Sequence, residues 1–463
     1  MKKVQLDIED IFDVPGAVIF EPDKLKSIHY VSIDSRKIKK NTLFIALTGE
    51  RFDGHDFVKK AIANGVEAVL INERRLNRFN NIKVPIITVK DTTIALGDIA
   101  RIWRKKLNAK IIGITGSSGK TTVKNMLAEI LSEKYKVNKT EANNNNHIGV
   151  PLTILNTNET NQVLVAELGT NHFGEISYTA SILSPDFSLI TNIGDSHLEF
   201  LKTRNGVWKE KSFLFDETIS NGGKVFLNYD DLIIKAKHSR KGDNISYGFS
   251  GKVDVLGKIK SYTDDGKPVI EINYNKKKAE VTLPIYGEQS ANNFLASCAV
   301  ALELGLTIDE IKKTVSRLKA PAGRLDVQNY KNFILIDDTY NANPDSTKAA
   351  IELVGSIKTF KRKILFLGDM LELGGNSIIL HQRLEHVIKQ SRIDEVYTIG
   401  PKMKYLHQNL DETKLVAKHF TKRNFLLNQI RKMNFNNSVI LVKGSRGLKM
   451  EEFFSEIKNE NMN

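Results

Sequence analysis

The stretch with the most specific chemistry runs from Lys110 to Ile130, KIIGITGSSGKTTVKNMLAEI. Ile111, Ile112 and Ile114 form a short β-branched run that reads as a buried strand. Gly116, Ser117, Ser118 and Gly119 make a turn that tolerates unusual backbone angles. Val123, Met126, Leu127 and Ile130 then recur at helical spacing over Thr122 to Leu131. Strand, glycine turn, Lys-Thr and helix is the layout of a phosphate-binding loop (P-loop). Such a turn points backbone N–H groups at phosphates, so ATP contacts are expected from Thr115 through Thr122. Lys120 reaches the β- and γ-oxygens, and the Thr121 hydroxyl can ligate Mg2+. Ile114 replaces the first glycine of the usual pattern, and an ordinary flexible turn before a helix is the competing explanation.

Other polar residues stand where apolar runs end. Glu167 lies in VLVAEL (163–168), where a P-loop enzyme holds its second metal-binding carboxylate, and His197 follows the next run, in DSHLE. TEANNNNHIGVP (140–151) is dense in amides that both donate and accept hydrogen bonds, which suits a polar, uncharged ligand surface. Three later runs end in DDTYNANP (337–344), GDM (368–370) and KGSR (443–446). Asp34-Ser35-Arg36 and Arg51-Phe52-Asp53-Gly54-His55 sit in early loops and read either as an anion site or as solvated ion pairs. Each has a bland alternative: a solvated carboxylate, a structural histidine or a loop that is merely rich in asparagine.

The elements needed to position these residues form three α/β units. The first, 1–107, has strands in IHYVSIDSR, NTLFIAL, EAVLI and PIITV, a helix ending at Gly65, and a connecting helix from Asp91 to Leu107. The second, 108–321, adds VLVAEL, FSLITNI, KVFLN and NISYGF to the P-loop strand, with helical stretches between them, as in a mostly parallel sheet. An antiparallel insertion follows Ser250 (VDVLGKI, PVIEINY, AEVTLPIY), then a helix from Asn292 to Leu304. The third, 322–463, has strands in FILIDD, ILFLGD, EVYTIG and SVILVKG and reads as a second doubly wound sheet. It carries no GxGxxG, so no dinucleotide is expected there.

Composition sets the outer limits. At 463 residues, 41% hydrophobic and 26% charged, the chain is an ordinary globular protein too long for one core. Its single cysteine, Cys298, excludes an internal disulfide and a cysteine-based zinc site. The start, MKKVQLDIEDIFD, lacks the apolar core of a signal peptide, and no apolar run reaches membrane-spanning length. A cytoplasmic protein is therefore expected, with a monomer as the default because the sequence leaves the oligomeric state open. The net charge of +14 comes from 68 Lys+Arg against 54 Asp+Glu, but the basic residues are scattered. Small phosphate-rich substrates account for them without a nucleic-acid partner.

Taken together, the motifs resemble the Mur ligase family. ITGSSGKTTVK, NNNNHIGVPLT, AELGTNHFGEI, TNIGDSHLEF, DDTYNANPDS, LGDMLELG and KGSRGLKME carry the resemblance in order over nearly the whole chain. It implies a three-domain architecture with a central P-loop domain and a C-terminal Rossmann-like domain. It also implies an ATP-dependent amide ligase that works through an acyl phosphate. DDTYNANPDS and LGDMLELG point to the member that adds D-Ala-D-Ala to UDP-MurNAc-tripeptide.

The resemblance further implies roles for single residues. Lys120 and Thr121 would take phosphates and Mg2+, Glu167 would bind that metal, and His197 would serve a second Mg2+. GVWKEKSFLF matches the segment with the family's carbamylated lysine, which falls on Lys211, a third metal-binding group beside Glu167 and His197. Arg324, Asp338 and Asn293 are expected near ATP, and Asn145 and Asn146 near the muramoyl-peptide. Ser35 and Arg36 are expected at the UDP end, and Asn341, Asn343, Lys443 and Arg446 near the peptide or dipeptide. The chain departs from the family at Gln289-Ser290, where a His-Asn pair associated with adenine is usual. Within the superfamily the alternatives are a third-residue ligase, whose DNPR-type signature is absent, and a folylpolyglutamate synthase. Outside it, the alternative is a non-catalytic nucleotide-binding scaffold.

Overall fold

The computed structural model describes residues 1–50, 52–238, 243–410 and 415–460. Three sheets follow one another along the chain. In the first, the order is Val18–Phe20, Ile86–Val89, Ala68–Asn72, Thr42–Ile45 and Tyr30–Ser32; only Val18–Phe20 runs antiparallel.

The central sheet has nine strands. Its parallel part runs Asn244–Gly248, Lys224–Asn228, Phe187–Ile190, Lys110–Thr115, Val163–Glu167 and Val137–Lys139. The P-loop strand Lys110–Thr115 lies between two neighbours, and both its faces are covered, Ile112 and Ile114 in one core and Ile111 in another, which is why it is apolar on both faces. The segment expected as an antiparallel insertion instead extends this sheet. Val255–Tyr262 pairs parallel with Asn244–Gly248, and Pro268–Tyr274 and Lys277–Thr282 then add antiparallel.

The last sheet has the order Asp326–Asn329, Phe333–Asp338, Ser438–Lys443, Arg362–Gly368, Glu395–Ile399 and Val416–Phe420, all parallel except the first. The strands that the sequence did not reveal (Val18–Phe20, Val137–Lys139, Asp326–Asn329 and Val416–Phe420) are all sheet edges. They are short or half exposed, so their apolar signal is weak.

Two helices shape the phosphate end. The P-loop helix starts at Lys120, two residues before the expected Thr122, because Gly119 supplies the left-handed angle (φ +80°) that turns the chain into it. The helix Glu288–Glu303 packs beside it, and Leu127, Ile130, Phe294 and Val300 are fully buried in one cluster. Burying each such large apolar side chain contributes about 1.5–3 kcal/mol.

The units share cores. Trp103 of the helix Thr92–Lys106 is buried with Leu164 and Ile182 of the central unit, and its indole N–H donates to the Thr157 carbonyl at 2.8 Å. Ile190, Ile193 and Leu201 of the central unit join Ile336, Ile351 and Met370 of the last. Among the described residues no helix is long and apolar enough to cross a membrane.

Candidate functional site

The carboxyl ends of the central strands face those of the last sheet across a cavity of about 410 Å3. Its walls include Ser117 to Lys120, Thr122, Asn145, Asn146, Glu167, His197 and Asn293 from the central unit. Arg324, Asp338, Asn341, Asn343 and Lys443 line the opposite side.

The P-loop is held from below. Asn192 accepts Ser117 N–H through its carbonyl at 3.0 Å and Ser118 N–H through its side chain at 3.1 Å, while Thr191 donates to the Ser118 carbonyl at 2.5 Å. A Cβ at Gly119 would push the Asn293 side-chain amide out of its place. Lys120 folds back on its own loop and donates to the Gly116 carbonyl at 2.8 Å. Burial lowers the pKa of its amine, Glu167 opposes the shift, and Arg324 adds to it.

Glu167 is the hub. Thr121 donates to its Oε2 at 2.9 Å, Asn145 donates to its Oε1 at 2.9 Å, and Lys124 Nζ lies 3.4 Å from Oε2. Burial alone would raise the carboxyl's pKa. Lys120, Lys124 and the two hydrogen bonds outweigh it and hold the group below its usual range, as a carboxylate. One carboxylate and one hydroxyl, both hard oxygens, suit Mg2+ that arrives with phosphates. Among the described residues no group of three or more His, Cys, Asp or Glu side chains could hold a metal unaided.

His197 and Lys211 sit behind Lys120. His197 adopts φ +52°, and its Nδ1 stands 2.7 Å from Glu372 Oε2 without hydrogen-bond geometry. Burial lowers the imidazole's pKa; Glu372 opposes this, and Lys211 and Lys120 add to it. Lys211 is wholly buried in the helix Arg204–Ser220, and its Nζ has no partner among the described residues. Burial drives its pKa well below that of an ordinary lysine, and the positive charge of Lys120 adds to the effect. Neighbouring Glu210 leaves it unpaired, because that carboxylate accepts the Gly174 and Ile176 N–H groups, each at 2.7 Å.

On the opposite wall, Arg324 stacks 3.9 Å over the Tyr340 ring. Lys443 is buried and spends its charge at home, on Asp338 Oδ2 at 2.5 Å and the Asn341 carbonyl at 3.0 Å. Asn343 caps the helix Pro344–Ser356 and reaches the Ser117 carbonyl at 3.5 Å. Arg446 lies outside the cavity wall, 5.8 Å from the Tyr340 ring and 3.6 Å from Glu451. Asn146 turns its Oδ1 to the Ile148 and Gly149 N–H groups.

Not every polar strand end serves the cavity. Asp369 accepts the Lys402 and Met403 N–H groups and so caps a helix start, and Asp337 holds a turn through Thr339. In the first sheet's unit, Ser35 is buried and Arg36 pairs with Asp34 at 2.9 and 3.0 Å. The Arg36 guanidinium pulls the Asp34 carboxyl down to about 2. Neither Ser35 nor Arg36 lines the cavity. Asp53 holds His55 at 2.5 Å and His55 accepts Asn72 N–H at 2.9 Å, while Arg51 lies outside the described residues.

At the departure from the family pattern, Gln289, Ser290 and Asn293 all line the cavity, with the Ser290 hydroxyl donating to the Ile285 and Gly287 carbonyls. Sequence reasoning missed Lys124, Asn192 and Glu372. Lys124 had a signal, one turn after Lys120 and on the same helix face as the apolar Leu127.

Three family profiles match in succession: "Mur ligase family, catalytic domain" over residues 27–104, "Mur ligase middle domain" over 114–301, and "Mur ligase, glutamate ligase domain" over 323–446. The chain is 35% identical to UDP-N-acetylmuramoyl-tripeptide–D-alanyl-D-alanine ligase of Bacillus subtilis, over 93% of each chain. It also resembles a crystal structure of MurF from Acinetobacter baumannii, with TM-score 0.88 and 29% identity over 99% of this chain and 100% of that one. A MurF ligase from Thermotoga maritima in complex with ADP aligns with TM-score 0.83 and 27% identity, over 93% of this chain and 97% of that one.

Proposed function

The chain belongs to the Mur ligase family, and we propose that it joins D-Ala-D-Ala to UDP-MurNAc-tripeptide, with ATP converted to ADP and phosphate, in peptidoglycan precursor synthesis. We take residues 1–107, 108–321 and 322–463 as its UDP-substrate, ATP-binding and C-terminal Rossmann-like domains. It acts as a monomer in the cytoplasm.

The observation that carries this reading is the double grip on Glu167. Thr121 holds it from the phosphate side and Asn145 from the asparagine-rich loop, so one carboxylate joins the nucleotide end to the peptide end.

The chemistry has two steps. The terminal carboxylate of the tripeptide attacks the γ-phosphorus, and the bond to the β-phosphate oxygen breaks. The dipeptide amine, after losing a proton, then attacks the acyl carbon, and phosphate leaves. Phosphoryl transfer needs positioning and charge neutralisation above all. The P-loop N–H groups and Lys120 cradle the phosphates once Lys120 leaves the Gly116 carbonyl. Arg324 and the Asp338–Lys443 pair close the other wall. Asn293 and Gln289 face the nucleoside, Asn145 and Asn146 the muramoyl-peptide, and Ser35 with Arg36 the UDP end. Asn341, Asn343 and Arg446 lie toward the incoming dipeptide.

Thr121 and Glu167 would hold one Mg2+, with His197 and a carbamylated Lys211 serving a second. Bound there, the metal would supply positive charge to the transferring phosphoryl group. Burial shifts the Lys211 amine toward its neutral form, the form that adds CO2, and the carbamate would replace an orphaned amine with two hard oxygens.

Oxygen labelling tests the acyl phosphate. Tripeptide carrying 18O in its terminal carboxylate should transfer one labelled oxygen to the released phosphate. Unlabelled phosphate would mean plain ATP hydrolysis.

A further inference from the structure

A salt bridge that the chemistry does not use joins the central unit to the last beside the cavity, in a smaller neighbouring cleft of about 250 Å3. Arg204 opens the helix Arg204–Ser220, behind the N-cap Thr203. A cation there faces the positive end of the helix dipole and is electrostatically misplaced. Two aspartates hold it. Its Nε and Nη2 donate to the two oxygens of Asp195, both at 2.8 Å, and Nη2 also donates to Asp345 Oδ1 at 3.1 Å. Asp345 belongs to the first turn of Pro344–Ser356, beside the last sheet, and its Oδ2 accepts Asp195 N–H at 3.0 Å.

The clasp runs on into the P-loop. A Cβ at Gly194 would displace the Asp345 carboxylate, and the Gly194 N–H and carbonyl are both bound by the Ser117 hydroxyl, at 2.9 and 3.2 Å. In the other direction, Arg204 and Lys211 lie on one face of the same helix, two turns apart.

We propose that Arg204 is a positioning residue for phosphoryl transfer: by binding Asp195 and Asp345 together it holds the C-terminal wall against the P-loop and sets the seat of Lys211. The inference rests on the function proposed above. Arg204 and Asp345 side chains are 45% and 42% exposed, so the pair contributes little to stability and is screened by salt. What the forked guanidinium adds is orientation, since its rigid planar fork fixes the direction of each hydrogen bond, whereas an ammonium acts as a point charge.

A double-mutant cycle on Arg204→Gln and Asp345→Asn in the full chain tests this, read by steady-state kinetics, thermal unfolding and small-angle scattering of the nucleotide-free protein. Each single change should raise KM for ATP roughly tenfold and lower kcat with the melting temperature little changed, and the double variant should be no worse than either. Arg204→Lys should recover part of the loss. Additive effects, or an unchanged KM, would overturn the proposal. Scattering decides the clasp even if the unsubstituted chain turned over none of these substrates. A compact native protein that expands in high salt, with variants expanded at any salt, supports it; identical profiles overturn it.

Discussion

Lys211 keeps an amine without a partner in the protein interior, an arrangement that stability alone would not retain. Replacing it with methionine removes that cost at nearly constant volume. Lys211→Met should therefore unfold at the same temperature or higher, yet lose about a hundredfold or more in kcat, as expected when a charge-stabilising group is removed. A melting temperature that fell along with the activity would make Lys211 a structural residue. His197 offers a test by titration. Its folded pKa lies below the ordinary 6.5, so the folded state binds fewer protons than the unfolded one at the titration midpoint. The stability from this group is complete above pH 6.5 and falls as the pH drops through the window below it. Imidazole NMR should find His197 neutral at pH 7; a midpoint above 6.5 would contradict the geometry. The two residues differ in how far the sequence foretold them. His197 stands at a strand end in a loop, where function concentrates, whereas Lys211 lies mid-helix among other charged residues and was visible only through the family segment GVWKEKSFLF.

At the scale of elements, the P-loop turn depends on a backbone that only glycine adopts cheaply. Gly119→Ala meets both the left-handed angle and Asn293, so it should cost about 1–2 kcal/mol from the angle alone. It should also abolish detectable ADP binding by calorimetry; normal ADP affinity would contradict the packing described. Central strands were legible because burial on both faces leaves continuous apolar runs, as in Ile111–Ile114 and Val163–Ala166. Edge strands such as Val137–Lys139 were not, since one solvated side erases the pattern. Polar strand ends were legible as positions but not as roles. Asp338 and Asp369 both end apolar runs, yet one faces the cavity and the other caps a helix.

For the whole molecule, function depends on bringing two sets of strand ends together. Sequence spacing revealed both sets and the resemblance supplied their partnership. Neither could reveal the contacts between them, since Asp345, Glu372 and Arg204 acquire meaning only when distant segments meet. The central claim is that a single cavity couples ATP, a muramoyl-tripeptide and a dipeptide amine. The most direct test is phosphate release from the purified protein with ATP, Mg2+ and UDP-MurNAc-tripeptide, with and without D-Ala-D-Ala, and with D-Glu, L-Lys or diaminopimelate in its place. Release that requires both tripeptide and D-Ala-D-Ala, and disappears in Lys120→Ala, is the predicted result. Turnover with another amine alone, or binding of ATP with no turnover for any pair, would contradict it.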